Sequence, residues 1–177
     1  MILTKSNEKE KIKEQFEHFI QAVNSKDADE TIKYLSPKLF DSFSKKTYLG
    51  LTDIQYEESF LTPEKYEVKN ISEIVEKESI KYSKVTYVQN YSMDLAIYKT
   101  IGNVDVILNQ ISTPLDKQFG KENVVFNEDS FKLEIKASGH IYAILDISEI
   151  TWKFFTDDDM IVTNSRDLLP NDVKEKI

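Results

Sequence analysis

An α+β domain is the architecture to expect from this chain, with helices first and a meandering antiparallel sheet after them. Three features point to it. Apolar residues recur at helical spacing up to about residue 50. From about residue 66 they alternate with polar ones. Helical spacing returns once, between Val104 and Gly120, so one helix is inserted between strands. The layout predicted is a single domain over 1–177: helices at about 8–50, a sheet with its inserted helix at about 66–157, and a C-terminal helical turn at about 168–177.

The helical part is justified residue by residue. Ile12, Phe16, Phe19, Ile20 and Val23 fall on one face of a helix running from about residue 8 to 24. Asn7 is placed to cap it, with Glu10 three residues on. Asp27 and Glu30 repeat that pattern before a second short helix carrying Ile32 and Leu35. Ser36-Pro37 reads as a cap followed by a first-turn proline. It opens a third segment with Leu39, Phe40 and Phe43 on its inner side.

The middle of the chain changes period. Tyr66 to Glu76 reads as a first, ragged strand. A long strand follows, with Val85, Tyr87, Gln89, Tyr91, Met93, Leu95 and Ile97 on one largely apolar face. Lys84, Thr86, Asn90 and Asp94 make its other face polar. Gly102 breaks the strand. Val104, Ile107, Leu108, Ile111 and Leu115 then form a helical stripe, which Thr113-Pro114 should kink and Gly120 should end. Phe131, Leu133, Ile135 and Ala137 alternate with lysines and Glu134, and Ser138-Gly139 reads as a two-residue hairpin turn. Ile141 to Ile147 is the returning strand. Ile150, Trp152 and Phe154 alternate in a last one, Asp157-Asp158-Asp159 marks a turn, and Leu168-Leu169-Pro170 leads into the final helical turn with Val173 and Ile177.

Composition removes whole classes of function. The 23 basic and 31 acidic residues leave a formal charge of −8, and Arg166 is the single arginine. A chain so poor in clustered positive charge is a poor binder of nucleic acid, and no basic helix face is present to hold an anionic membrane surface. Cysteine is absent, which excludes disulfides, thiolate metal sites and a thiol nucleophile. The start, Met1-Ile2-Leu3-Thr4-Lys5, has no apolar core of signal-peptide length, and the longest apolar run is Ile141 to Leu145. The compartment expected is therefore the cytoplasm.

Catalytic and metal motifs are also missing. No phosphate-cradling glycine loop exists, and His18 and His140 are far from the four-residue spacing of a helical zinc motif. Three consecutive aspartates do not match the alternating spacing of a calcium loop. No catalytic residue, metal ligand or cofactor is predicted. His18 lies about 200° around the helix from Phe16 and reads as a solvent-side residue. His140 reads as exposed or structural near a sheet edge.

One segment does suggest a family. Phe16-Glu17-His18-Phe19-Ile20-Gln21-Ala22-Val23, followed by Lys26-Asp27-Ala28-Asp29, resembles the first helix and Asp-containing link of the nuclear transport factor 2-like (SnoaL-like) superfamily. The strand Ile150-Thr151-Trp152-Lys153-Phe154 and the trailing Leu168-Leu169-Pro170 resemble it as well. The resemblance covers most of the chain in element order. It implies a cone of curved antiparallel sheet covered by the N-terminal helices, and a homodimer formed face to face. It also implies that a small-molecule isomerase or dehydratase using the cone pocket is one reading. The superfamily's inward Tyr, His or Asp motifs have no residue-by-residue match here.

Gln89 is the most suggestive single residue, because it interrupts an apolar stripe between Tyr87 and Tyr91. A few polar groups on apolar walls are what a ligand site looks like. The pocket candidates are Tyr87, Gln89, Tyr91, Tyr142 and Trp152. The bland alternatives are a core glutamine bonded to its neighbours and plain core aromatics. The function expected is a noncatalytic domain that binds a small apolar molecule or a protein. The alternatives are the isomerase or dehydratase, and an acidic inhibitor or immunity-type protein that masks a basic partner.

Overall fold

The computed structural model describes residues 5–41, 44–48, 50, 60–100, 103–162 and 165–177. The first helix, α1, spans Lys5–Asn24. It begins before Asn7, so Asn7 sits in the first turn rather than capping it. Its apolar stripe is buried as the spacing requires: Ile12 and Phe16 are fully inaccessible, and Phe19 and Ile20 nearly so. His18 is exposed.

The helix ends without glycine. Lys26 takes a left-handed conformation, the Lys26 amide donates to the Val23 carbonyl, and the Asp27 amide donates to that of Ala22. This paired bonding satisfies two carbonyls that the helix end would otherwise leave open. Asp27 then caps α2, Ala28–Tyr34, by accepting at Oδ1 from the Glu30 amide at 2.8 Å. One residue thus closes one helix and opens the next. We expect Asp27→Ala to cost about 1 kcal/mol, measured by urea denaturation, because an orphan N–H appears in the first turn. An unchanged midpoint would show the cap to be dispensable.

Ser36-Pro37 opens a 3-10 turn at Pro37–Phe40, with Leu39 fully buried. Phe43 lies outside the described residues.

The sheet has six strands in the order β1-β3-β5-β4, with β2 also on β3 and β6 also on β5. The ranges are Thr62–Ile71 for β1, Val75–Lys77 for β2, Ile80–Asp94 for β3, Val124–Asn127 for β4, Lys132–Asp146 for β5 and Lys153–Phe155 for β6. It is antiparallel, which with the leading helices and the inserted α3, Val104–Phe119, makes the protein α+β.

Several expectations are corrected. The ragged first strand is two strands, and the second turns into β3 through Glu78-Ser79, both at positive φ. The long strand stops at Asp94 rather than Ile97. Residues Ala96–Thr100 form a 3-10 helix that leaves Ile97 67% exposed. Gly102 lies outside the described residues. Ser138-Gly139 is no hairpin; β5 runs through it without a break. The glycine is there because a Cβ would stand 3.3 Å from the Tyr87 ring, so its absence lets that ring approach the strand.

The last expected strand shortens to β6. The aspartate run is the first turn of α4, Asp157–Val162. Thr156 and Asp159 make a reciprocal cap there, Thr156 Oγ1 accepting from the Asp159 amide at 3.0 Å and Asp159 Oδ2 from the Thr156 amide at 2.8 Å. Consecutive carboxylates suit a helix start, where the exposed amides are positive. Pro114 does not break α3, and Gly120, at φ 90°, ends it as expected. The final turn is α5, Asn171–Lys174.

Contacts gather these elements into two compact units. One comprises residues 1–58, 68–86 and 140–177, and the other 59–67 and 87–139. The first holds the larger core: Phe16, Leu39, Val85, Trp152, Phe154, Phe155 and Val173 are all fully buried. Phe16 and Phe19 of α1 sit 5.8 and 5.4 Å from the Phe154 ring, and Gln15 Oε1 accepts from the Trp152 amide at 2.7 Å. These contacts, with a Lys81–Glu8 ion pair, fasten α1 over the sheet of this unit.

The second unit is thinly packed. Among its described apolar residues only Leu95, Leu133 and Ile135 are buried, and α3 buries none fully. Its turn between β4 and β5 is held by Phe126 against Phe131, by Lys99 over the Phe131 ring, and by the Leu95 amide donating to the Phe131 carbonyl.

Candidate functional site

A concavity lined by described residues of the second unit is the candidate site. It is an open groove of about 730 Å³. Its residues come from β1 (Glu64, Lys65), β3 (Asn90, Tyr91, Ser92), the turn before β4 (Glu122, Asn123), β4 (Val125, Asn127) and β5 (Lys132, Glu134, Ile135, Lys136), with Ser130 between the last two strands. Register explains part of the assembly. Val125 pairs with Glu134 and Asn127 with Lys132, so these four project from one face, and Lys136 continues it. The strictly alternating polar positions of β5 thus become one wall.

Internal hydrogen bonds hold the polar groups in place. Ser92 Oγ donates to Glu64 Oε1 at 2.8 Å, and Ser92 is buried. Asn127 Nδ2 donates to Glu134 Oε1 at 2.8 Å while its Oδ1 accepts from the Ser130 amide at 3.1 Å. The second bond fixes which way round the Asn127 amide lies. Among the described residues three glutamates and three lysines line the groove, so their formal charges cancel in a chain of −8. No histidine or aspartate lines it among the described residues.

The sequence-predicted residues divide between the units. Tyr91 lines the groove. Gln89 does not: it is 2% exposed, and its amide donates to the carbonyls of Asn90 at 3.1 Å and Lys65 at 3.4 Å. Gln89 therefore satisfies backbone rather than facing a cavity. We expect Gln89→Leu to lower the melting temperature, at a cost of about 1 kcal/mol, by removing the buried amide that donates to two backbone carbonyls. A variant as stable as the parent would show that the amide bonds contribute nothing. Tyr87 lies beside Gly139, and burial pushes its phenol above the ordinary range, with Tyr91 adding to the effect. Burial likewise raises Tyr91.

Tyr142 and Trp152 belong to the first unit. Tyr142 is buried, and its hydroxyl donates to Asp157 Oδ2 at 3.4 Å. Asp157 also takes Lys174 Nζ at 2.7 Å and His140 Nε2 at 3.3 Å. The Lys174 contact chiefly holds the Asp157 carboxyl below the usual range, and burial raises Tyr142. Trp152 is fully buried, and among the described residues its indole Nε1–H has no acceptor. It lines no cavity described.

A shallower cleft of about 430 Å³ in the first unit borders His18, Asp27 and Tyr34. Its Asp27 is already engaged as a helix cap. No cluster of His, Cys, Asp and Glu suited to a metal ion occurs among the described residues, and none of the described helices is long and apolar enough to cross a membrane.

The residues missed from the sequence are Glu64, Asn90, Ser92, Asn127, Lys132, Glu134 and Lys136. Their signal was the polar half of two alternating strands. The apolar half, which carries Tyr87, Gln89 and Tyr91, marks the core instead. Comparison with protein families, with curated proteins and with solved structures finds no match for this chain.

Proposed function

We propose that this protein is a noncatalytic binding domain and that the groove of the second unit is its ligand site. The observation that carries the reading is the groove itself: about 730 Å³ bounded by polar side chains that are oriented by one another before any ligand arrives. Preset groups lose little conformational freedom on binding, which is how a modest surface acquires specificity. Glu64 and Glu134 are hydrogen-bonded to Ser92 and Asn127 rather than to a histidine or a second carboxyl, which favours binding over acid–base chemistry. The polar lining favours a polar ligand over the apolar one expected from the sequence. The order of helices, sheet and inserted helix supports a distant relation to the nuclear transport factor 2-like superfamily.

The test is a fragment screen by amide NMR on the full chain. Hits should shift the signals of Asn90, Asn127 and Glu134 together. Hits that collect elsewhere, or a library of polar fragments that moves none of these signals, would overturn the assignment.

A further inference from the structure

The structure assigns to this groove an uncharged, hydroxyl-rich ligand, a saccharide chain; the inference rests on the groove being the binding site. Three features select that chemistry. The first is charge. Among the described lining residues Glu64, Glu122 and Glu134 match Lys65, Lys132 and Lys136 in number, so formal charge favours neither a cation nor an anion. The second is the pattern of donors and acceptors. Along β5, Lys132, Glu134 and Lys136 alternate on one face, an ammonium, a carboxylate and an ammonium. A hydroxyl both donates and accepts, so it can meet either kind of neighbour, whereas a cation or an anion meets only one. The carboxylates of Glu64 and Glu134 each take their internal bond at Oε1, and a carboxylate has about four acceptor sites.

The third is the floor. Val125, 54% exposed, shares its face with Glu134 and gives an apolar contact for the C–H side of a sugar ring. A peptide cannot add as a new strand beside Lys132–Ile135 of β5, because β3 and β4 already flank that strand there.

The experiment is isothermal titration of the full chain with cellotetraose, maltotetraose and chitotetraose N-acetylated at every unit. A heparin-derived tetrasaccharide and a peptide of alternating Lys and Glu serve as charged comparisons. We expect saturable binding of at least one uncharged saccharide, with an affinity that hardly changes between low and physiological salt. Glu134→Gln should weaken it about tenfold, since a charge-assisted bond is roughly twice as strong as a neutral one. Lys136→Gln, at an exposed position, should weaken it as well, and circular dichroism confirms that each variant is folded. Tyr142→Phe, outside the groove, should leave the affinity unchanged.

Failure of all three uncharged saccharides to bind at millimolar concentration overturns the inference. So does binding that both groove variants leave intact. Preference for the heparin fragment or the peptide, lost in the same variants, overturns the uncharged saccharide and keeps the groove as the site. Silence from all five probes, together with a fragment screen that leaves the groove unmoved, overturns both.

Discussion

Phe154→Ala is expected to cost about 3–5 kcal/mol, the largest loss of any single truncation considered for this protein. Phe154 is fully buried in β6 and meets the rings of Phe16 and Phe19 from α1. Its carbonyl accepts from the Ser36 amide at 3.3 Å, and its backbone bridges to Leu35. One residue therefore joins three parts of the unit: its ring meets the first helix, and its backbone ties the segment after the second helix to the sheet. Truncation removes the ring's transfer free energy and leaves a cavity whose walls belong to different elements, so the site cannot easily collapse. Urea denaturation gives the measurement. Phe60→Ala, at a residue 81% exposed, is the matched control and should stay within about 0.5 kcal/mol of the parent. Equal losses from the two variants would disprove the account of this core.

Gly139→Val is expected to cost about 1–3 kcal/mol, by crowding rather than by loss of contact. The added carbon would meet Cζ and Oη of Tyr87 at 3.3 Å. The backbone there is ordinary strand, so a side chain as such is tolerated, and the penalty comes from the ring. That makes the mechanism separable. In a Tyr87→Ala background most of the cost of Gly139→Val should disappear, giving a coupling energy between the two positions. The same penalty in both backgrounds would locate the problem in the backbone and refute the close-approach reading.

The contrast between these positions explains what could be read from the sequence. Ile12, Phe16, Phe19 and Ile20 announce a helix and its buried face because burial alone decides their spacing. Asp27 announces a cap because its side chain bonds three residues away. Gly139 was ambiguous, since a turn and a close approach both call for glycine, and only the position of Tyr87, 52 residues earlier, decides between them. Glu78-Ser79 was invisible for the opposite reason: it takes positive φ without the Asn or Gly that usually signals such a turn. The aspartates at 157–159 were legible as a boundary, but their role at a helix start depends on Thr156 returning the hydrogen bond.

The groove was the least legible part. Glu64 and Ser92, or Asn127 and Glu134, meet only once strands have paired, and polar alternation is the ordinary look of any solvated strand face. Gln89 stood out because it broke an apolar pattern. A residue that breaks a pattern to serve backbone carbonyls looks the same in one dimension as one that breaks it for a ligand.

Trp152 is the only tryptophan of the chain, and it lies fully buried in the first unit with no acceptor for its indole N–H among the described residues. Its fluorescence should accordingly lie at the blue end of the tryptophan range and resist soluble quenchers, then move to the red when that unit opens. The dye built into the protein thus watches one unit by itself. An unfolding curve read at tryptophan follows the large core around Phe154 and is blind to any earlier loosening of α3 and its neighbours. Set beside a backbone signal, such as far-ultraviolet circular dichroism, coincident curves would mean one cooperative protein. Displaced curves would give the order in which the two units melt.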